Sequence, residues 1–186
     1  AQQTAVFEDV SGKVEVRPPG GAWRTAQEGE QIPLNATVST GFGSEASLAL
    51  GRSTVVMKAL SRMTVEELAE REGVSQSSTR VEVGRVRAQV RSAEGVRTDF
   101  QMVGPGATAS VRGTGFYFDT VMLLVTENEV EFTNLLEQRR TVSEAQSSST
   151  DGFDYPANPE RGFISRTTTD TTPGVVSTGG SQGSRG

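Results

Sequence analysis

"PGATASVRGTGFYFDT", residues 105–120, decides how the rest of the chain is read. Ala107, Ala109 and Val111 alternate with Thr108 and Ser110, then Arg112-Gly113-Thr114-Gly115 leads into three aromatics. A phosphate-cradling loop needs a helix after it, because the helix N-terminus supplies the N–H groups that meet the anion. The residues after Gly115 instead alternate with a period of two, as a strand does. The stretch is therefore read as a corner between strands. Val111 faces inward, and Gly113 and Gly115 take backbone angles denied to other residues. Thr114 bonds locally, and Phe116 and Phe118 turn inward again with Tyr117 and Asp119 outward. Arg112 is expected to fork hydrogen bonds to orphan carbonyls or a carboxylate at the strand end. Val111 to Phe116 thus form a structural motif with no catalytic residue in it.

Composition narrows the chemistry. The 186 residues suit one domain with a tail, and the formal net charge is -5, unlike the basic footprint of a general nucleic-acid binder. The chain has no Cys and no His. Disulfides, thiolate metal sites, and Ser-His-Asp or Cys-His catalysis cannot be built from it. No catalytic residue, cofactor site or metal site is assigned, and the expectation is a protein that is not an enzyme. No apolar run reaches the ~20 residues that span a bilayer as a helix. The opening "AQQTAVFEDV" resembles what a signal peptidase leaves behind, so a periplasmic or otherwise exported protein is expected.

Short alternating segments fill the chain to about residue 134. "TAVFEDVSGKVEVR" places Val6, Val10, Val14 and Val16 inward around a Gly12 turn; Ala46, Leu48 and Leu50 alternate after a glycine corner; "STVVMKAL" (53–60) continues the pattern. Val81, Val83, Val86, Ala88 and Val90 keep phase across Gly84, a tight turn or bulge. Strands are expected at 97–103, 107–112, 115–125 and 129–133, with Glu127-Asn128-Glu129 as a hairpin turn and Asn128 left-handed. One helix of two turns is expected from the capping-box spacing of Thr64 and Glu67, ended by Gly73, with a strand over 62–66 as the alternative. "SGKVEVR" (11–17) echoes "VGRVRAQVR" (83–91), and "GSEASLALG" (43–51) echoes "GATASVRG" (106–113), as repeated β-units in a stacked roll do. Residues 1–145 are expected to form an all-β domain, a solenoid-like roll or a sandwich. Residues 146–186, rich in Ser, Thr and Gly, read as a mostly disordered tail, with Phe153, Tyr155, Phe163 and Ile164 able to pin its first half.

Sharper readings stand against plain ones. "GFGSEA" (41–46) fits a dinucleotide fingerprint in spacing, but a strand comes after it where a helix is needed. Arg85, Arg87 and Arg91 share a strand face: a solvated stripe paired with Glu82 or Glu94, or a docking surface for an anionic partner. Adjacent Glu8 and Asp9 point to opposite faces, and Asp151/Asp154 lack calcium-loop spacing. Trp23 is expected to cover one end of the core, with sugar stacking as the alternative; exposed Tyr117 would join it in a glycan site.

The ordered set "GKVEVR", "GAWRTAQEGEQI", "ATVSTGFGSEASLAL", "VEVGRVRAQV", "FQMVGPGATASVRGTGFYF" and "VMLLVTENEVEF" resembles the FecR domain of bacterial envelope proteins, over about residues 10–145. Gly104-Pro105 stands where the family usually has Thr-Pro, and Glu127-Asn128 where it has Glu-Gly. The resemblance implies an all-β exported domain that binds proteins of the cell envelope. In the family such domains occur in sigma-factor regulators that relay a signal from an outer-membrane receptor, after a cytoplasmic anti-sigma segment and a membrane helix. This sequence shows neither, so the expectation is a stand-alone envelope binding or structural module, with sigma-factor signalling and glycan or peptidoglycan binding as alternatives.

Overall fold

The computed structural model describes residues 4–162, and every regular element among them is a β-strand. In chain order these are β1 (Ala5–Ser11), β2 (Val14–Arg17), β3 (Arg24–Thr25), β4 (Gln31–Ile32), β5 (Thr37–Thr40) and β6 (Glu45–Leu50). Next come β7 (Ser53–Met57), β8 (Arg62–Arg71), β9 (Val74–Val83), β10 (Val86–Gln89), β11 (Arg97–Val103) and β12 (Ala107–Val111). Last are β13 (Gly115–Phe118), β14 (Met122–Glu127), β15 (Glu129–Asn134), β16 (Arg139–Ser143), β17 (Gln146–Ser149) and β18 (Glu160–Arg161). They form two nine-stranded sheets that share no strand: β18-β17-β14-β13-β10-β7-β6-β1-β4, and β16-β15-β12-β11-β9-β8-β5-β2-β3. The inward faces meet in one core, where Phe100 of the second sheet packs edge-on against Phe116 of the first at 6.4 Å between ring centres.

After β5 the chain lays a pair of strands in one sheet, then a pair in the other, and so climbs along the roll. The exception is β10, a lone strand in the first sheet between β9 and β11 of the second. An odd crossing leaves β9 and β11 pointing the same way, and they pair in parallel. Every other named pair is antiparallel. Before β10 the crossovers gather on one margin of the roll, where Gly41 N–H donates to Lys13 O and Leu60 N–H to Gly41 O. After β10 they gather on the opposite margin, where Val90 and Thr114 exchange two backbone hydrogen bonds.

The corners repeat one device, a glycine seated against a serine. Lys13 N–H donates to Ser44 Oγ at 2.8 Å beside Gly12, and Arg85 N–H donates to Ser61 Oγ at 3.0 Å beside Gly84. At the third corner Ser92 Oγ donates to Arg112 O at 2.5 Å, against Gly113. The echo between "SGKVEVR" and "VGRVRAQVR" is thus structural, because both Gly-basic-Val runs are sheet-to-sheet crossovers. Gly12 and Asn128 accordingly sit at corners between sheets and not in hairpins. Asn128 is left-handed (φ 56°) and its side-chain amide donates to Gly113 O at 2.8 Å.

Four expectations are corrected. The helix over 64–73 is the ten-residue strand β8. A register shift between Val65 and Glu67 makes two β8 residues oppose one step of β9, so Val65 and Leu68, three apart, both point inward. That spacing imitates helical periodicity. In β1 the inward residues are Ala5 and Phe7, not Val6, and a shift between Phe7 and Asp9 leaves Val10 partly buried against the core. The strand expected at 115–125 is broken into β13 and β14 by a turn with Thr120 at φ 81°. The tail expected from residue 146 begins instead with β17 and β18, which extend the first sheet; residues 163–186, including Phe163 and Ile164, lie outside the described residues.

Both ends of the roll are closed. At one, residues 24–32 pass from β3 to β4, Phe7 N–H donates to Glu30 O, and Ala26 is buried. Arg24 pairs with Glu30 there. That hydrogen bond holds the Glu30 carboxyl below its ordinary range, against the opposing effect of partial burial. A carboxylate with a depressed folded pKa adds stability above its unfolded pKa and loses it as pH falls through the folded one. The melting-temperature advantage of wild type over Glu30→Gln should therefore be full above about pH 5 and fade below about pH 4. A gap that widens on acidification would contradict this. At the other end, residues 153–158 cover the outer edge of β16: Tyr155 Oη donates to Arg139 O at 2.8 Å, and Arg140 Nε to Pro156 O at 2.7 Å. Tyr155 does pin this segment, whereas Phe153 stays 66% exposed.

Candidate functional site

Val111 to Thr114 form a corner between β12 and β13, with two departures from expectation: Gly113 has a positive φ of 150° but Gly115 does not, and Arg112 changes role. Val111, Thr114 and Phe116 are buried, and Thr114 Oγ1 donates to Glu129 O at 3.1 Å, tying the corner to β15. Gly115 is forced by crowding, since a Cβ there would lie 2.6 Å from Thr126 Oγ1. Arg112, however, points into solvent with its side chain 76% exposed, and meets only Asp99, at 3.8 Å. Of the two kinds of partner expected, it meets a carboxylate and no carbonyl, while the Arg112 carbonyl itself accepts from Ser92 Oγ. Arg112→Ala should accordingly cost less than about 0.5 kcal/mol by urea denaturation. A loss above about 1 kcal/mol would return the guanidinium to a structural role.

Arg97 and Asp99 stand beside Arg112 with 3.2 Å between charged atoms, in a broad depression of about 1020 Å³ over β11, β12, β15 and β16. Its floor is polar, with Gln101, Thr108 and Ser110 among its residues. Three of the acids in neighbouring pairs make defined contacts. Glu66 is held by Arg80 at 2.5 Å, and Glu8 accepts from Ser47 Oγ at 3.1 Å. Asp151 accepts the N–H groups of Asp154 and Phe153, each at 2.9 Å, which lower its pKa.

Arg85, Arg87 and Arg91 are exposed on the side of the first sheet away from the core. Their partners differ from those expected. Arg85 reaches Asp119 at 3.8 Å, Arg87 lies 5.6 Å over the Tyr117 ring, and Glu82 is paired across the second sheet with Arg62. Trp23 is not a core lid. It is 36% exposed, with the Arg17 guanidinium 4.8 Å and that of Arg62 5.7 Å from its ring centre. Trp23 precedes β3 and Tyr117 lies on β13, in different sheets, so the fold does not assemble the two aromatics into one glycan site.

One surface went unread in the sequence. Among the described residues, the large exposed apolar side chains other than Trp23 and Tyr155 line the margin where β5, β7 and β9 end: Phe42, Leu60, Val83, Val121, Met122, Leu135, Leu136 and Phe153. Phe42 is 90% exposed. Each sits in a turn or corner, or at its edge, where polar residues are the norm. "GFG", "NLLE" and "GFD" carried that signal in plain view. The opposite margin carries Arg91, Glu94, Arg97, Arg112 and Asn128, all exposed.

The architecture is all-β, two sheets not closed into a barrel, with an apolar margin and broad polar faces. No known family model and no curated protein matches the chain. Two crystal structures of a putative anti-sigma factor from Parabacteroides distasonis ATCC 8503, at 1.65 and 2.50 Å resolution, are similar in fold. Each gives a TM-score of 0.52 at 16% identity over 67% of this chain, and the match spans 60% of the length of that protein.

Proposed function

We propose that this chain is a non-catalytic, protein-binding module of an anti-sigma-type signalling system, working outside the cytoplasm of a bacterium. The fold shared with a putative anti-sigma factor carries this reading. The sequence supports it independently, through the ordered motifs that resemble the FecR domain and through a composition without His or Cys. The broad, solvent-open outer faces suit recognition of a folded protein better than enclosure of a small substrate.

The test compares the transcripts of the host bacterium with and without the gene, alongside fractionation of the tagged protein. Signalling predicts that one discrete sigma-factor regulon changes and that the protein is found in the envelope fraction. An unchanged transcriptome with an envelope made sensitive to detergent would replace signalling by a structural role. A cytoplasmic location would reject export.

A further inference from the structure

From the outer face of the first sheet we infer an acceptor surface for an extended acidic segment of a partner protein, anchored by Arg87 and Arg91. Both are exposed beside an open depression of about 880 Å³, whose residues include the half-buried Thr54 and Val56 of β7. Gln89, Glu127, Asn128 and Ser92 also line it, and these are engaged within the chain. Gln89 Nε2 donates to Glu127 Oε2 at 2.8 Å, Asn128 Nδ2 to Gly113 O at 2.8 Å, and Ser92 Oγ to Arg112 O. The guanidiniums of Arg87 and Arg91 meet no acceptor among the described residues, and a guanidinium can only donate. Arg87 is nonetheless held in place, 5.6 Å over the Tyr117 ring, a contact that leaves its N–H edges open to a carboxylate.

Charge and spacing point to this occupant. On the same face Arg85 is paired with Asp119 at 3.8 Å and Lys58 with Glu45 at 2.6 Å. Arg52, exposed in the β6–β7 turn, has no carboxylate partner among the described residues and adds to the positive side. The acid nearest the arginines is Glu127, drawn to Gln89. Glu94 lies in a turn packed on Gly73 of the second sheet's long hairpin, Glu129 opens β15 in that sheet, and Glu144 sits in the β16–β17 turn. Glu8 and Asp9 are three strands away on β1, and Glu160 and Arg161 four strands away on β18. None of these acids forms an ion pair with Arg87 or Arg91. The patch is thus locally basic on a chain of net charge -5. That overall charge and the bordering acids repel a long polyanion or an anionic membrane, and leave room for a short acidic stretch. Val90 and Thr114 exchange two backbone hydrogen bonds, so the line of β10 runs on towards Arg91. Arg87 and Arg91 then stand roughly 13 Å apart on one face, the spacing of residues i and i+4 in an extended peptide. Carboxylates at those two peptide positions meet both arginines in charge-assisted hydrogen bonds. The inference deepens the protein-binding reading and rests on it.

The test is an NMR titration of the isotope-labelled full chain with the end-blocked peptide Gly-Glu-Ser-Thr-Ser-Glu-Gly, taken to about 5 mM in about 50 mM salt. The Nε–H signals of Arg87 and Arg91 should move together and saturate with a dissociation constant of about 1 mM or below. Arg87→Gln and Arg91→Gln, both at exposed positions, should each weaken binding at least threefold with the melting temperature unchanged. Arg139→Gln, on the other sheet, should leave binding as it was. Silence of Arg87 and Arg91 across that range overturns the proposal. So does an equal response to the same peptide with Gln for Glu, or an equal loss from Arg139→Gln. A tighter response to inorganic phosphate than to the peptide also overturns it and assigns the arginines to a phosphate-bearing ligand. Binding with an unchanged transcriptome leaves this surface standing and fails the signalling reading alone. Silent arginines beside a changed regulon fail this surface alone.

Discussion

Gly84→Ala is expected to destabilise the protein by about 2–4 kcal/mol, the sum of left-handed strain and an unrelieved collision. Gly84 turns the chain from β9 in one sheet to β10 in the other at φ 93°. A Cβ there would stand 2.5 Å from Ser61 Cα and 2.7 Å from Leu60 O. These are backbone atoms, so no rotamer change makes room. Gly29 supplies the control, because its φ is also positive, at 77°, but nothing lies within 4 Å of a Cβ built on it. Gly29→Ala should lose only about 1 kcal/mol, the strain alone. Urea midpoints measured at constant slope separate the two contributions. Equal losses at the two glycines would mean that the Ser61 contact does not govern the corner.

Phe116→Ala should cost about 3–5 kcal/mol, the range for emptying a phenylalanine site in a closed core. Phe116 is fully buried and contacts Phe100 across the gap between the sheets. Its neighbour Tyr117 faces outward under Arg87. Tyr117→Ala should lose less than about 1 kcal/mol. Consecutive residues differing several-fold in cost, measured by thermal and urea unfolding, would be the signature of a strand whose two faces meet different media. Comparable losses at 116 and 117 would contradict the inward assignment of Phe116.

Alternation made most strands legible. Ala46, Leu48 and Leu50, Val14 and Val16, and Phe116 and Phe118 all point inward as their spacing requires. A period of two says which side of a sheet a residue occupies, but not which of two sheets its strand joins. Gly12, Gly84 and Asn128 therefore read as local turns, although each lies between strands of different sheets. Bulges hid the rest: the extra residue at Glu66–Glu67 converted a strand into apparent helical spacing. The corner motif was legible because its glycines and aromatics answer to sterics. The role given to Arg112 was legible only in part: it meets a carboxylate, Asp99, at 3.8 Å, but from solvent, and the side chain that ties down its own carbonyl, Ser92, lies 20 residues away in the chain.

The order of strands in space has a consequence for how the protein is made. Beyond the closing strands β3 and β4, each sheet places its strands in the order of synthesis, β1-β6-β7-β10-β13-β14-β17-β18 and β2-β5-β8-β9-β11-β12-β15-β16. No later strand has to be inserted between two earlier ones. A chain leaving the ribosome can therefore assemble by accretion, each new segment templated on a rim already laid down. Residues 154–158 then fold over the rim of β16, and β18 is laid on β17 after them, so even this covering segment comes in the order in which the chain emerges.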